Sequence, residues 1–392
     1  MENKFLKGIK ICHVTTVDIT ARFIILDFMR FLKEQGRNVF VACSFSKFRP
    51  FLDSEGFNTK NIKMTRRITP AQDFVSLIKL FLYFKKEKFD IVHTYTPKAG
   101  ILGRIAAKLA GVPVVIHTSY GFYMGVKVPK GQKSLILFAE KTASLFCDLV
   151  FSQNKEDIDF AVKNKIVNPQ KIKLLTYGID IKRFNLEKFD RDFIQKKKKD
   201  LGIENKKIIG VVGRFVKEKG YLDLFEAFKI IKKQIPEAFL LLIAPKDKEK
   251  PDALDISILK DYGIEKDAVV LGYEKEILNI EEFYPLMDVF ALPSYREGFP
   301  YSIMEASASG KPVVATDIRG CREAVENNNT GLLFPAGDYK KMAEIIVYLF
   351  KNPEVSVKIG YNGRTKAERD FDERNIFGKI TKEYKELTDK KL

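Results

Sequence analysis

Two short stretches of this 392-residue chain combine residue types suited to an anion that also bears hydroxyls. The first, IIGVVGRFVKEKGYLDLFEAF at 208–228, ends an apolar run at Gly213 and places Arg214 directly after it. Lys219 and Gly220 follow, just ahead of an amphipathic pattern that includes Leu222, Phe225, Phe228 and Ile231. Two cations held at a strand's carboxyl end and near a helix's start, with free backbone N–H groups beside them, suit a diphosphate. The stretch lacks GxxxxGK[ST] and is not a Walker loop. The second, SYREGFPYSIMEA at 294–306, puts Glu297 in a loop and Glu305 about one turn into a helix. Pro300 is placed as that helix's first residue, where its missing N–H costs nothing. The amides of residues 298–302 would then form an unpaired helix start. Carboxylates accept hydrogen bonds from hydroxyls and amides donate to phosphate, and a nucleotide sugar offers both groups. Taken singly, each residue also has a plain structural reading: solvated cations for Arg214 and Lys219, helix-dipole compensation for Glu297, a surface helix position for Glu305.

These residues need elements to hold them. Apolar, β-branched runs predict strands at Ile9–Val14, Val39–Cys43, Ile91–Thr94, Val114–Thr118, Leu149–Ser152 and Ile172–Leu175, with helix-length segments between them. The pattern pauses over Ile179–Gly202, a lysine-rich linker with an exposed helix around QKKKKD. It restarts at Ile208–Gly213, Ala238–Ala244, Val269–Gly272, Val289–Pro293, Pro312–Ala315 and Leu332–Phe334. Continuous apolar strands alternating with helices predict parallel sheets covered on both faces. The expected fold is therefore α/β: two Rossmann-like, doubly wound domains facing across a cleft. Their expected ranges are 1–185 and 186–371, with a C-terminal helix at about 372–392 returning to the first. Ligands of such sheets bind beyond the carboxyl ends of the strands.

Composition narrows the class. The cysteines Cys12, Cys43, Cys147 and Cys321 form no CxxC pair and only 3 histidines exist, so neither a disulfide framework nor a zinc site is expected. The opening MENKFLKGIKICHV carries no export-signal pattern, and nowhere do about 18 apolar residues run together. A reducing cytosol is the expected compartment. The net charge of +17 is uneven: residues 1–190 hold 32 Lys/Arg against 17 Asp/Glu, leaving 36 against 34 for the remainder. No nucleic-acid module accompanies the lysines, so no nucleic-acid partner is expected. The segment FVSLIKLFLYF at 74–84, followed by Lys85, Lys86 and Lys88, reads either as an apolar helix with a basic end for an anionic membrane surface or as a helix packed on a sheet.

The order Gly213-Arg214, Lys219-Gly220, Pro293-Ser294, EGFPYSIMEASASGKPVVAT at 297–316 and GLLF at 331–334 strongly resembles the retaining nucleotide-sugar glycosyltransferases of the GT-B fold, family 4. The likeness covers nearly the whole chain. HTYTPKAGILGRIAAKLAGVPVVIHTSYGF at 93–122 looks like the branch that builds capsule, exopolysaccharide or O-antigen units on a lipid carrier, and TYGIDIKRF at 176–184 matches the family's interdomain segment with Thr-Tyr replacing Pro-Asn. The resemblance implies that Arg214 and Lys219 hold the donor diphosphate and stabilise the departing nucleotide. Glu305 would take the ribose hydroxyls and Glu297 a donor-sugar hydroxyl, with the backbone of Gly298, Phe299, Pro300, Tyr301 and Ser302 assisting. Tyr273 to Ile277 would lie by the base. His117, ending the strand PVVIH, resembles the family histidine that contacts the donor sugar, and the alternative for it is a core histidine. His93 and Lys98 are candidates near the acceptor phosphate, a structural role for His93 standing beside that. HVTTVD at 13–18 lacks the two-glycine turn many relatives use near the phosphates, so contacts are not carried over to residues 15–18.

The implied partners are a UDP-sugar donor, a lipid-linked (polyprenyl-diphosphate) saccharide acceptor and an anionic membrane surface. The implied place is the inner face of the cell membrane, with no cofactor and no metal, the cations standing in for one. Other readings stay open: a UDP-sugar epimerase or soluble small-molecule transferase of this fold, or a non-catalytic carbohydrate-binding partner in an assembly complex.

Overall fold

The computed structural model describes residues 8–122, 130–247, 250–275, 277 and 279–391; the first seven residues, part of the N-terminal reading, and Glu276 of the expected base loop lie outside these. The apolar runs form two wholly parallel sheets. In the first are β1 (Lys10–Val17), β2 (Asn38–Ser44), β3 (Asn58–Asn61), β4 (Ile91–Tyr95), β5 (Val114–Ser119), β6 (Leu149–Ser152) and β7 (Ile172–Leu174), ordered β3-β2-β1-β4-β5-β6-β7. In the second are β8 (Lys207–Val212), β9 (Ala238–Ile243), β10 (Ala268–Leu271), β11 (Val289–Leu292), β12 (Val313–Thr316) and β13 (Gly331–Phe334), ordered β10-β9-β8-β11-β12-β13. Strand β3 has no counterpart in the sequence reading. Its NTKN is polar because it is an edge strand, paired only with β2 and mostly exposed.

The unbroken apolar character of the central strands follows from helices on both faces. In β8, Ile209 and Val211 join one core with Leu224, Phe225 and Phe228 of the helix Tyr221–Gln234. Ile208 joins the opposite core, with Ile303 and Met304 of the helix Tyr301–Ala308. Each such side chain contributes about 1.5–3 kcal/mol by leaving water.

The chain divides into two compact units, one running to Leu175 and resuming at Ile376, the other spanning Thr176–Asn375. Ile179, Ile181 and Phe184, read from sequence as linker, are buried in the second unit's core, and Ile179 bridges to Asp372. The apolar stripe Ile376, Ile380 and Tyr384 of the helix Glu373–Asp389 packs in the first unit's core, where Phe377 stacks near Phe28.

Candidate active site

In the second sheet the strand order reverses between β8 and β11, the switch point where doubly wound sheets take ligands. Arg214 and Lys219 follow β8, and Glu297 follows β11. Two glycines let their loops close on each other. Gly220 has φ +76°, and a Cβ there would sit 2.0 Å from the Pro293 carbonyl oxygen. Gly320 passes beneath the other loop, where a Cβ would lie 2.6 Å from the Gly298 oxygen and 2.8 Å from that of Glu297. Polar ties complete the join: the Tyr295 amide donates to the Glu218 carbonyl (2.9 Å), Arg296 Nε donates to the Glu218 carboxylate (2.7 Å), and the Tyr295 hydroxyl donates to Asp223 (2.6 Å).

The outcome is a close ion pair. Lys219 Nζ lies 2.5 Å from Glu297 Oε1, and these side chains are only 17% and 10% exposed. Arg214, by contrast, reaches away to Asp247, 2.7 Å from Nη1 to Oδ2, and is 41% exposed. The structure therefore brings Lys219 and Glu297 together directly and gives each candidate cation its own carboxylate. An arriving diphosphate must exchange with those carboxylates or join them.

Pro300 is the residue preceding the helix Tyr301–Ala308, one position earlier than expected, and no side chain caps that helix. The amide of Ile303 turns back to the Pro300 carbonyl, and the backbone of Tyr301 and Ser302 forms the helix's first turn. The Phe299 ring is buried, edge-on to Phe371, so only its backbone is available. The Tyr301 ring lies 4.7 Å from that of Tyr177.

Glu305 is not the plain surface position its sequence context allows. Its carboxylate accepts a 2.5 Å hydrogen bond from the hydroxyl of Tyr284, a fully buried residue. Burial pushes the Glu305 carboxyl above its usual range, while the Tyr284 hydroxyl and Arg183 pull it back. Tyr284→Phe removes that donor, so the carboxyl is expected to rise further. Its ionised form is favoured in the folded protein only above that raised value. UDP affinity should then begin to fail at a higher pH in the variant than in the wild type, with a loss of about tenfold on the acid side. Calorimetric UDP titrations from pH 5 to 8 measure this, and superimposable profiles would remove Tyr284 from the site.

Tyr273 and Ile277 flank the turn at Gly272, whose φ is +78°. The Tyr273 hydroxyl donates to Asp255 (3.2 Å) under Lys246, and Ile277 lines a separate cavity of about 330 Å³ with Leu271 and Phe283.

The first unit holds the remaining candidates. His117, on β5, is 2% exposed; its Nδ1 donates to the Thr94 carbonyl (3.1 Å), while no hydrogen bond from a described residue reaches Nε2. Gly100 makes room for the ring, since a Cβ there would lie 2.5 Å from His117 Cε1. Arg104 braces the arrangement: Nε donates to the Gly100 carbonyl (2.7 Å) and Nη2 pairs with Glu140 (2.5 Å). His93 has no exposed surface. Its Nδ1 meets the hydroxyls of Tyr384 (2.7 Å) and Tyr95 (3.0 Å), and its Nε2 meets that of Thr118 (2.8 Å). Both nitrogens being taken, His93 is a core residue and leaves the acceptor set. Lys98 pairs with Asp73 (2.6 Å) and also donates to Thr65 and Thr69, so its charge is already matched.

Sequence reading missed Tyr284 and Asp247 because no local pattern marks them. They reach the site from 21 and 33 residues away from their partners.

Against known proteins, residues 10–154 match the family model described as Glycosyl transferase 4-like, and residues 193–366 the one described as Glycosyl transferases group 1. The chain is 31% identical over 384 residues to the capsular polysaccharide biosynthesis glycosyltransferase CapM of Staphylococcus aureus, covering 97% of each chain. It is 33% identical over 322 residues to the UDP-Gal:alpha-D-GlcNAc-diphosphoundecaprenol alpha-1,3-galactosyltransferase of Escherichia coli, covering 81% of this chain and 80% of that one. Its fold is similar to that of Anabaena HepE solved with UDP-glucose, with a TM-score of 0.81 at 20% identity over 97% of this chain and 100% of that one.

Proposed function

Because this chain belongs to the group 1 glycosyl transferases, the retaining family 4 of the GT-B fold, we propose that it moves a sugar from a UDP-sugar to a saccharide carried on a polyprenyl diphosphate, in the synthesis of a bacterial surface polysaccharide. The observation that carries this reading is the Lys219–Glu297 pair, set beside an uncapped helix start at the second sheet's switch point. The pair brings a cation for the diphosphate and a carboxylate for a sugar hydroxyl to one point. The acceptor class draws support from the Escherichia coli relative, whose name combines a UDP-sugar with a diphosphoundecaprenol saccharide.

In this mechanism an acceptor hydroxyl attacks the anomeric carbon on the face the diphosphate leaves. The carbon–oxygen bond to the β-phosphate breaks as the new glycosidic bond forms, and the hydroxyl proton passes to the leaving phosphate oxygen. UDP departs with configuration retained. Arg214, Lys219 and the amides of Tyr301 and Ser302 stabilise the developing diphosphate charge. Glu297 orients a donor-sugar hydroxyl, and Glu305 takes the ribose. The family resemblance favours this same-face route over attack by Glu297 itself. His117 keeps the donor-sugar role that the resemblance implies. Tyr273 and Ile277 remain assigned to the base.

The test is incubation with a panel of UDP-sugars and polyprenyl-diphosphate saccharides, following UDP release and identifying the product by NMR. Retained configuration in a lipid-linked product is the expected result; no UDP release with any acceptor ends the transferase reading of these substrates.

We place the protein at the inner face of the cell membrane as a peripheral component. No helix among the described residues is long and apolar enough to cross a bilayer. The helix Pro70–Glu87 exposes Phe74, Val75, Ile78 and Leu82 on one face, with Lys85 and Lys86 in its last turn. Apolar insertion beside basic residues is the pattern of an interfacial helix. Vesicles containing anionic lipid should sediment the protein, less so at 0.5 M salt, and Phe74→Glu with Leu82→Glu should cut the bound fraction at least fivefold. Binding indifferent to lipid charge, salt and both substitutions would exclude this face.

A further inference from the structure

A cavity of about 960 Å³ lies in the first unit beside the carboxyl ends of β1 and β4, at that sheet's switch point. Its wall is chiefly apolar, with Val17, Ile101, Leu102 and Ile136 lining it, and with Ile68 and Leu135 each more than half exposed. The charged residues on it are Lys98, Asp73, Arg66 and Arg67. Lys98 and Asp73 neutralise each other at 2.6 Å. Arg66 and Arg67 are exposed, and no carboxylate of a described residue lies within ion-pair distance of either. The strap that carries them is tied down: the Thr65 hydroxyl donates to the Arg67 carbonyl (2.9 Å) and meets the Thr69 hydroxyl (2.9 Å), Lys98 Nζ donates to the same carbonyl, and the Thr69 amide donates to Asp73 (3.0 Å).

The cavity thus pairs a greasy slot with two unmatched guanidinium groups held on a fixed strap. A neutral sugar would leave both features unused. An inorganic anion would use the arginines but not the wall, and a plain hydrocarbon the reverse. Guanidinium groups bind phosphate oxygens bidentately, and an apolar wall of this size accommodates a chain of isoprene-like units.

Resting on the lipid-linked acceptor reading given above, we propose that this cavity is the site for the polyprenyl diphosphate part of the acceptor. Arg66 and Arg67 take the diphosphate. Val17, Ile101, Leu102 and Ile136 take the carbons next to it. Lys98 serves by holding the strap in place through Asp73 and the Thr65 and Thr69 hydroxyls, not by meeting the phosphate itself.

Farnesyl diphosphate, farnesol and inorganic diphosphate, each titrated by calorimetry into the full chain, separate the contributions. Farnesyl diphosphate is expected to bind at least tenfold more tightly than either of the others. Arg66→Ala with Arg67→Ala should weaken it at least twentyfold. Leu135→Glu, on the exposed rim, should weaken it about tenfold while leaving inorganic diphosphate unaffected. The substituted side chains are exposed, so unchanged melting temperatures certify folding. Wild-type affinity in the double-arginine variant, or inorganic diphosphate matching farnesyl diphosphate, overturns the assignment. The two readings fail separately. Sugar transfer to a lipid-linked acceptor with an unchanged KM in the double-arginine variant sinks the cavity and keeps the reaction. Arginine-dependent farnesyl diphosphate binding with no transfer to any lipid-linked acceptor sinks the acceptor reading and keeps the cavity.

Discussion

Lys219→Ala is expected to lower turnover by a factor of about 10²–10³, the cost of removing one pre-placed electrostatic contact from a charge-developing transition state. It should also weaken UDP binding, because Lys219 supplies charge to the diphosphate in the ground state too. Glu297→Gln should behave differently. It abolishes turnover by the same order yet releases Lys219 from its 2.5 Å partner, so UDP is expected to bind as tightly as before or severalfold more tightly. The split between the two variants is the diagnostic result, read from single-turnover rates and UDP titrations on the same preparations. A pair so little exposed also has a structural cost: removing one partner of a buried ion pair destabilises by about 3–5 kcal/mol. Melting curves must therefore accompany the kinetics. If Glu297→Gln weakens UDP as much as Lys219→Ala does, the pair is a scaffold brace and the roles given to these residues fall together.

Acid should loosen the first unit well before its carboxylates titrate. His13, His93 and His117 sit on the neighbouring strands β1, β4 and β5, paired in register as His13 with His93 and Thr94 with His117. All are buried, and burial holds each imidazole neutral: His13 is lowered to about 3, and His93 and His117 fall well below the ordinary value. Neighbouring charge adds to this, since a proton on His13 opposes one on His93, and Arg104 and His93 oppose one on His117. The sign follows from proton binding. Below pH 6.5 the unfolded chain takes up protons that the folded unit refuses, so stability falls as pH falls. At pH 5.5 each histidine costs on the order of 1 kcal/mol, a few kcal/mol for three, against about 5–15 kcal/mol of stability in a typical domain. Hydrogen-exchange protection of β1, β4 and β5 is expected to drop between pH 7.5 and 5.5. His13→Leu should remove about a third of the pH-dependent loss, because one of the three buried imidazoles is gone, while giving up the Nδ1 hydrogen bond to the Tyr95 hydroxyl (3.0 Å) at every pH. Protection that holds constant across this range would show that the cluster is protonated without cost.

The sequence by itself determined the elements and the order of the chemical groups. Alternating apolar runs and helical periods are local properties, so twelve strand segments, the doubly wound class, Arg214 and Lys219 after one strand and Glu297 after another could be read directly. Strand β3 escaped because an edge strand with polar faces has no apolar signature. The tertiary structure decided partnership. Tyr284 supports Glu305, Asp247 holds Arg214, and Asp73 neutralises Lys98, all through contacts that no spacing announces. His93 is the clearest case: alone it resembles a site residue, and its core role comes from Thr118 on the next strand and Tyr384, 291 positions away, which join Tyr95 in taking both ring nitrogens. A side chain's type states which interactions it can make. Which of them it does make depends on what the fold sets within about 3 Å, and that distance is unrelated to separation along the chain.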